Sequence, residues 1–443
     1  MFPKKLQFAQ RAIELPHLAA FRYRDYRYTW LANMCSGAAM WTFIVAITWL
    51  ILEKSGKSGD VGILTFASML PFLVVSPIAG LIADRLDRRS IVRFTFLASA
   101  VVTALVAVLA YTDAFESMVH GLISPVMSLD AVELMLLGIL TFASGTMRST
   151  QEPAIASLIP NQVPQRDLLN AITLNAATRH GARFFGLLVA SPLLAIDVIG
   201  APGVLILSTL FQLAGTVLIS MAKTRSTGES APQHGLFRSM IDGLVYIYTD
   251  RMISIFILLV AFHCALVMSY DSVMPVFTRN ALGAVDGSIL GYMVMGFGIG
   301  SLIVTVLMAG VRTERNKGRW LLWTGIVSGV IPILLAFSPS TIPAIVVATV
   351  MGGAQSAFMA LTTTYVQTLA PDRLRGRISS LYILHAGGIM AFANLGYGFI
   401  ADLYSSPPIL YATGAIFLVF IFSANASLPD LRRVYRTGQA VAA

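Results

Sequence analysis

Charged residues inside otherwise apolar segments are the first candidates for chemistry in this sequence. Arg148 and Glu152 are four residues apart, and so are Arg179 and Arg183 in the following segment. Residues four apart share one face of a helix. At 1.5 Å per residue, Arg148 and Arg179 each lie about 15 Å from the short loop that joins the two segments. We therefore expect the four side chains to meet.

Two interpretations of this cluster stay open. In the first, Glu152 pairs with one or more of the arginines and braces the two helices. In the second, three arginines against one glutamate leave an excess of two positive charges. Such an excess suits an anionic substrate, because a guanidinium binds carboxylate or phosphate in a bidentate manner. Both hold if Glu152 binds one arginine and leaves another to the substrate.

Titratable groups inside apolar segments are candidates for carrying a proton. Asp271 lies four residues before Pro275, and His263 lies near the middle of the same segment. A desolvated carboxylate takes up a proton more readily, and histidine titrates near neutral pH. Asp271, Glu152 and His263 are therefore the candidates for proton coupling. The alternative is that each is paired or packed within the protein.

A second group of polar residues lies on one later segment. Gln355 and Thr362 are seven residues apart, so they share a helix face and are candidates for substrate contact. The alternative is hydrogen bonding between helices, which is worth about 0.6–2 kcal/mol per contact.

Other kinds of chemistry lack their signatures. The sequence shows no nucleophile triad, no cluster with metal-ligand spacing and no phosphate-binding loop with its Lys-Ser/Thr pair. A Gly-x-Gly-x-Gly run at 296–300 lies inside an apolar segment, where close helix packing explains it. We expect no enzyme activity, no metal and no cofactor.

The segments that hold these residues are apolar and long. Of 443 residues, 56% are hydrophobic and 12% are charged, with a mean hydropathy of +0.75. Soluble domains carry about 25% charged residues, and a span needs about 20 apolar residues. The sequence predicts an all-α membrane protein, because an isolated segment in lipid satisfies its own backbone groups only as a helix. The twelve predicted spans are about 30–52, 61–83, 91–112, 134–158, 168–196, 203–222, 253–276, 287–310, 320–338, 342–366, 377–402 and 409–427.

The distribution of basic residues predicts the orientation. Of 31 Lys and Arg residues, 25 fall on one side and only Lys54, Lys57 and Arg279 on the other; the remaining three are the arginines inside spans. Cytoplasmic loops carry the excess of Lys and Arg. Both termini should therefore be cytoplasmic, in a bacterial inner membrane. The positive charge is explained by this topology, so no nucleic-acid partner is expected.

Polar segments divide the chain into predicted domains. A linker at 223–250 contains an amphipathic helix expected on the inner membrane surface, and an outer loop at 113–133 should contain another. The predicted domains are a cytoplasmic tail 1–29, a six-helix bundle 30–222, the linker 223–250, a second six-helix bundle 251–428 and a cytoplasmic tail 429–443.

Related motifs occur in the inner loops of both halves. After the second span, Gly80 is followed by Asp84, Arg85, Arg88 and Arg89. After the eighth span, Gly310 is followed by an acid at the same spacing. These two loops and the one after the tenth span supply the candidate gating residues: Gly80, Asp84, Arg85, Arg88, Arg89, Glu314, Arg315, Arg375 and Arg377.

These motifs, with twelve predicted spans and a central linker, resemble the major facilitator superfamily. The resemblance covers the whole chain. It implies two pseudo-symmetric six-helix bundles that expose a central site alternately to each face of the membrane. It also implies that the inner loops latch the two halves in the outward-facing state, and that spans 1, 4, 7 and 10 line the cavity.

A narrower resemblance links the chain to bacterial exporters related to the enterobactin exporter. It rests on the Pro153-Ala154 pair, the Ala182–Gly186 run and the Arg375-Gly376-Arg377 sequence. It implies a proton-driven exporter of a small organic molecule, with the bilayer and protons as partners and a monomer as the working unit. Uptake or facilitated diffusion of a polar solute is the first alternative. A non-transporting scaffold that uses loop 113–133 is the second.

Overall fold

The computed structural model describes the chain over residues 16–75, 86–112, 129–224, 226, 236–308, 310–311, 313–371 and 374–440. Gly80, Asp84, Arg85 and most of the predicted outer loop lie outside these residues. Within them, regular structure is helical throughout. The helices are α1 Arg24–Ser55, α2 Ser58–Val74, α3 Arg88–Thr112, α4 Leu129–Leu158, α5 Gln165–Leu194, α6 Gly200–Met221, α7 Leu236–Thr249, α8 Arg251–His263, α9 Met274–Ala281, α10 Ser288–Met308, α11 Glu314–Ala336, α12 Thr341–Leu369, α13 Arg375–Tyr404, α14 Ser406–Ser427 and α15 Pro429–Thr437.

In the described part of the chain, nine helices are long and apolar enough to cross a membrane: α1, α3, α6, α8 with its extension, and α10 to α14. Helix α2 is apolar but has only 17 residues. Helices α4 and α5 have 30 residues each and carry the charged cluster. Membrane crossing by α2, α4 and α5 stays a prediction, as does the total of twelve spans.

The chain divides into two compact units. The first contains Met1–Ile47 and Val74–Ala231, and the second contains Thr48–Leu73 and Pro232–Ala443. The end of α1 and nearly all of α2 are therefore grouped with the later helices. The predicted domain boundaries and the two six-helix bundles stay predictions.

Each unit buries an apolar core of its own. In the first unit, Tyr26, Phe96 and Leu158 are buried where α1, α3 and α4 meet. In the second, Phe256 and Phe358 are buried with side chains of α13 and α14. Many Leu, Val, Ile and Phe side chains elsewhere on these helices are exposed, which suits contact with lipid.

The amphipathic helix predicted in the linker forms as α7. It packs on α13 at Gly243, where a Cβ would lie 2.9 Å from Cδ1 of Leu381. Ile247 is fully buried. The large apolar side chains of α7 that remain exposed are those of Ile241, Leu244, Val245 and Tyr248. Their exposure supports the predicted position of this helix on the inner membrane surface.

The seventh predicted span, 253–276, is not one continuous helix. Helix α8 passes into a π-helix over Cys264–Met268, and a turn then precedes α9. The last carbonyls of a helix have no partner within it, and here side chains supply the donors. The pairs are Ser269 Oγ to Cys264 O, Tyr397 OH to Ala265 O, Tyr270 OH to Leu266 O and Gln355 Nε2 to Val267 O. These bonds stabilise an interruption that apolar periodicity does not predict.

Glycines allow α10 and α12 to approach within backbone contact. A Cβ on Gly300 would lie 1.7 Å from the carbonyl oxygen of Thr349, and a Cβ on Gly352 would lie 2.0 Å from that of Phe297. The close approach also lets Ser301 Oγ donate to Gly352 O at 3.0 Å. The glycine run at 296–300 is thus a helix-packing surface, as the sequence indicated.

Replacing Gly300 with Ala is expected to destabilise the second unit. The added methyl group overlaps a backbone atom that no rotamer change can move, so the two helices must separate, at a cost of about 1–3 kcal/mol. The measurement is the Tm of the detergent-purified protein. Gly387→Ala is the matched control, since nothing lies within 4 Å of a Cβ at that helical position. Equal Tm values for the two variants would contradict the packing argument.

Candidate functional site

The predicted charged cluster forms between α4 and α5. Arg148 Nε lies 3.4 Å from Oε1 of Glu152, one turn away on α4. Arg179 Nη2, on α5, lies 3.6 Å from the other oxygen, Oε2. The two carboxylate oxygens of Glu152 thus face one arginine each. The structure therefore brings together three of the four side chains expected to meet.

The fourth side chain, Arg183, contacts an aromatic ring of α1. The guanidinium carbon of Arg183 lies 3.4 Å from the ring centroid of Trp41, on α1. This distance is typical of a cation–π contact, which is strongest when the cation lies over a Trp face. Trp41 belongs to the site because it orients a charged group, a role that the sequence did not predict. A tryptophan in an apolar segment is usually a packing residue. Only its contact with Arg183 in the folded chain reveals this role.

Neutral polar contacts join the same three helices. Gln151 Nε2 donates to Ser36 Oγ at 2.9 Å. Asn33 Nδ2 donates to Asn175 Oδ1 at 2.9 Å and to Thr178 Oγ1 at 3.1 Å. Helices α1, α4 and α5 of the first unit therefore share a polar surface that includes the charged cluster.

The charged side chains of this surface are partly exposed. The exposed fraction is 35% for Arg148, 40% for Glu152 and 70% for Arg179. Ion pairs that are this exposed to water contribute little to the stability of the fold. Because charges within a membrane segment normally face protein or water, the predicted crossing of α4 and α5 implies that these side chains contact water. With three cations and one anion, the surface is suited to binding an anion.

The polar residues predicted on α12 are enclosed by other helices. Gln355 is 1% exposed and donates to Val267 O at the interruption of the seventh span. Thr362 is fully buried, and its hydroxyl lies 2.8 Å from Tyr382 OH on α13. Both side chains join helices in this structure, and substrate contact by them stays a prediction.

His263 is fully buried in an aromatic environment. Its ring stacks on Phe358 with centroids 4.4 Å apart and meets Phe417 edge-on at 5.4 Å. Neither ring nitrogen has a hydrogen-bond partner among the residues that the structure describes. This enclosure supports a packing role, and proton transfer by His263 stays a prediction.

Asp271 lies in the turn between the π-helix and α9, and it is half-buried. The next residue connects this turn to α13, because the backbone N–H and hydroxyl of Ser272 donate to Oδ1 and O of Asn394 at 3.2 and 2.7 Å. Discontinuous membrane helices are frequent at the ion and substrate sites of transporters. The position of Asp271 is therefore compatible with its predicted role.

The described gating residues of the first loop cap helices of their own unit. Arg88 Nη1 donates to Ser157 O at the end of α4, at 3.1 Å, and to Ser226 Oγ, at 2.9 Å. Arg89 donates through Nε and Nη2 to carbonyls in the last turn of α6, at 3.4 and 2.6 Å. Cations favour helix C-termini. These bonds hold the inner ends of α4 and α6 and the start of the linker together.

The gating residues of the later loops also have local partners. Glu314 binds Lys317 Nζ at 2.6 Å, and Arg377 Nη1 lies 3.8 Å from Asp242 Oδ2 on the linker helix. Arg315 is exposed. Arg375 begins α13, and its side chain lies outside the described part of the structure. A latch between the two halves stays a prediction for all of these residues.

Two charged residues that were not among the predicted site residues bind the corner between α1 and α2. Asp402, near the end of α13, accepts from Ser58 N at 2.6 Å and from Gly59 N at 2.9 Å. Arg279, on α9, donates to Leu52 O at 2.9 Å and to Gly56 O at 3.3 Å. The acid therefore caps a helix N-terminus and the base caps a helix C-terminus, as the helix dipole favours. Because their partners are backbone groups, no side-chain pattern predicts these contacts. The one available signal is that Arg279 is among the few basic residues on its side of the predicted topology.

No group of three or more His, Cys, Asp or Glu residues arranged to hold a metal occurs in the described residues. The cluster on α1, α4 and α5 and the corner bound by Asp402 and Arg279 are thus the two candidate sites. The first carries an excess of positive charge, and the second holds two helix ends.

Comparisons with known proteins agree with this architecture. Residues 16–436 match the family described as transmembrane secretion effector. The multidrug efflux pump Tap of Mycolicibacterium fortuitum is 24% identical over 413 residues, which cover 87% of this chain and 94% of that protein. The staphyloferrin A transporter of Staphylococcus aureus is 22% identical over 366 residues, which cover 82% and 86%.

Solved transporter structures share the fold. The nucleoside transporter NupG aligns with a TM-score of 0.69 at 9% identity, covering 91% of this chain and 98% of that chain. A bacterial homologue of the human lysosomal transporter Spinster aligns with a TM-score of 0.67 at 14% identity, covering 92% and 97%. At these identities the likeness concerns the fold alone, and the expected all-helical membrane architecture is confirmed.

Proposed function

The chain belongs to the transmembrane secretion effector family of major facilitator transporters, and from this membership we propose that it exports a small organic anion in exchange for protons. The observation that carries the proposal is the surface shared by α1, α4 and α5. There Glu152 faces two arginines while Trp41 holds a third. The names of the two relatives, an efflux pump and a staphyloferrin A transporter, also favour export of an organic molecule.

In this proposal Arg148, Arg179 and Arg183 attract the anionic group. The net charge of the cluster with Glu152 is +2, so an anion gains more from it than a cation does. Glu152 positions two of the guanidinium groups and limits their repulsion. Gln355 and Thr362 are proposed to contact substrate only after α12 changes its partners, since both are buried between helices here.

Asp271 is the first candidate for proton coupling, ahead of Glu152 and His263. It lies at the interruption of the seventh span, next to the hydrogen bonds between Ser272 and Asn394. A change of charge in this turn would act directly on the contact with α13. Glu152 is placed second because it faces two arginines, and His263 third because aromatic rings enclose it.

Alternating access requires contacts that form in one conformation and break in the other. We assign this role to the bonds of Asp402 and Arg279 with the α1–α2 corner, on the outer side of the proposed topology. The inner loop that contains Gly80, Asp84 and Arg85 is proposed to stabilise the opposite conformation. We propose that the transporter is a monomer with twelve spans and that both of its termini lie in the bacterial cytoplasm.

The proposed function is tested by transport into inside-out vesicles with an acidic lumen. We expect carboxyfluorescein, an organic anion, to accumulate when the gradient is imposed and not when it is collapsed. Asp271→Asn should reduce gradient-driven accumulation about tenfold or more, because the neutral amide cannot exchange a proton. The matched control is Asp197→Asn, an exposed acid in the turn between α5 and α6.

Three outcomes would contradict parts of this proposal. If only the cation ethidium accumulates, the arginine cluster stabilises the packing of α4 and α5 and does not bind substrate. Movement of the anion only in the opposite direction would favour uptake. Movement of neither dye by a folded, inserted protein would favour a scaffold.

A further inference from the structure

A cavity lies at the junction of α11, α14 and α15, away from both candidate sites. Its volume is about 340 Å³, and its lining includes Leu322, Asn425 and Ala426 from the two long helices. The short helix α15 contributes the remaining lining residues. Its apolar face anchors it, because Leu431 is fully buried and Val434 is 1% exposed. In the proposed topology this junction lies at the inner surface of the membrane.

Two arginines of α15 make the cavity strongly basic. Arg432 and Arg436 both line it. Arg432 is held in place by its bonds to the C-terminal end of α14, where Nε donates to Asn425 O at 3.0 Å and Nη2 donates to Ala426 O. The nearby acid, Asp430, pairs with Arg251 at 3.2 Å and so does not neutralise the cavity arginines directly.

The third polar group is a buried hydroxyl. Tyr435 is 3% exposed and lines the same cavity. Its hydroxyl has no hydrogen-bond partner among the described residues. A buried polar group without a partner costs free energy, so a ligand that accepts its hydrogen bond would be stabilised. Burial also raises the pKa of Tyr435, so that the hydroxyl remains a donor at neutral pH.

We propose that this cavity binds a phosphate group, with Arg432, Arg436 and the hydroxyl of Tyr435 as its donors. Arginine and hydroxyl donors match the acceptor oxygens of a phosphate, and basic pockets between membrane helices bind lipid head groups. The phosphate belongs either to an anionic phospholipid of the inner leaflet or to a soluble phosphate. The site is separate from the transport cluster, so its occupancy is measurable without transport.

The test uses the purified full-length chain in nanodiscs. In one arm phosphatidylglycerol is titrated into phosphatidylcholine discs; in the other, inorganic phosphate is added to discs of phosphatidylcholine alone. We expect a saturable rise of Tm in at least one arm. Arg436→Gln should raise the half-saturating concentration about tenfold, and Tyr435→Phe, which removes only the hydroxyl, about threefold or more.

Arg433→Gln is the matched control, because Arg433 is exposed on the same helix and does not line the cavity. It should shift half-saturation less than twofold. A response to phosphatidylglycerol alone assigns the phosphate to a lipid, and a response to inorganic phosphate assigns it to a soluble ligand. The proposal is overturned if no saturable response occurs, if Tyr435→Phe binds like the unchanged protein, or if Arg433→Gln weakens binding as much as Arg436→Gln does. Because Tyr435→Phe preserves the shape of the side chain, the test survives a folding defect in Arg436→Gln.

Discussion

Arg179→Gln is expected to raise the KM for an organic anion about tenfold or more. The variant removes one cation from the cluster, and the loss of a charged hydrogen-bond donor of this kind costs about 1.5–3 kcal/mol. Glu152→Gln should lower this KM or leave it unchanged, because the variant increases the net positive charge of the cluster. The measurement is the initial rate of carboxyfluorescein accumulation in inside-out vesicles at increasing dye concentration.

Comparing these two variants shows whether the cluster recognises the anion or only stabilises the packing of α4 against α5. If Glu152 only braces α4 and α5, removing either partner breaks the Arg179–Glu152 pair, and both variants lose transport to a similar extent for every substrate. Arg166→Gln is the control on the same helix, since Arg166 is 80% exposed at the start of α5. Anion recognition fails if Arg179→Gln and Glu152→Gln change the anion KM in the same direction and by similar factors.

Asp402→Ala is expected to make the corner between α1 and α2 more accessible from the outer face. The variant removes the acceptor for Ser58 N and Gly59 N at the start of α2, and the loss of such a cap costs about 0.5–2 kcal/mol. If the contact exists in one conformation only, that cost shifts the population of conformers about two- to thirtyfold. Asp402→Asn should have a smaller effect, because its amide oxygen still accepts one hydrogen bond.

Cysteine labelling measures this opening. Ser58→Cys, in a background with Cys35→Ser and Cys264→Ala, places a thiol at a position that is fully buried. Asp402→Ala should increase its rate of reaction with a membrane-impermeant maleimide added from the outer face. Arg279→Gln should act in the same direction, because it removes the cap on Leu52 O and Gly56 O. Glu53→Gln, an exposed acid at the same corner, is the control. Unchanged labelling in folded Asp402→Ala protein would show that these caps do not control access.

The sequence by itself determined the class of fold and the contact of Arg148 and Arg179 with Glu152. Long apolar segments require helices, because lipid offers no partners for backbone groups. The spacing of Arg148 and Glu152 placed both on one face of α4, and equal depths on adjacent helices brought Arg179 to them. Helical periodicity likewise predicted α7 within the linker. These features follow from short-range geometry and solvation, so local patterns suffice to predict them.

The tertiary structure decided which partners those residues take. Arg183 lies over Trp41, 142 positions earlier in the chain, whereas helical spacing grouped it with Arg179 and Glu152. Gln355, expected to face a cavity, instead donates to Val267 O at the interruption of the seventh span. Asp402 binds the backbone N–H of Ser58 across a separation of 344 residues. Backbone groups occur at every position and carry no side-chain signature, so only the packing of distant helices determines which of them a charged side chain meets.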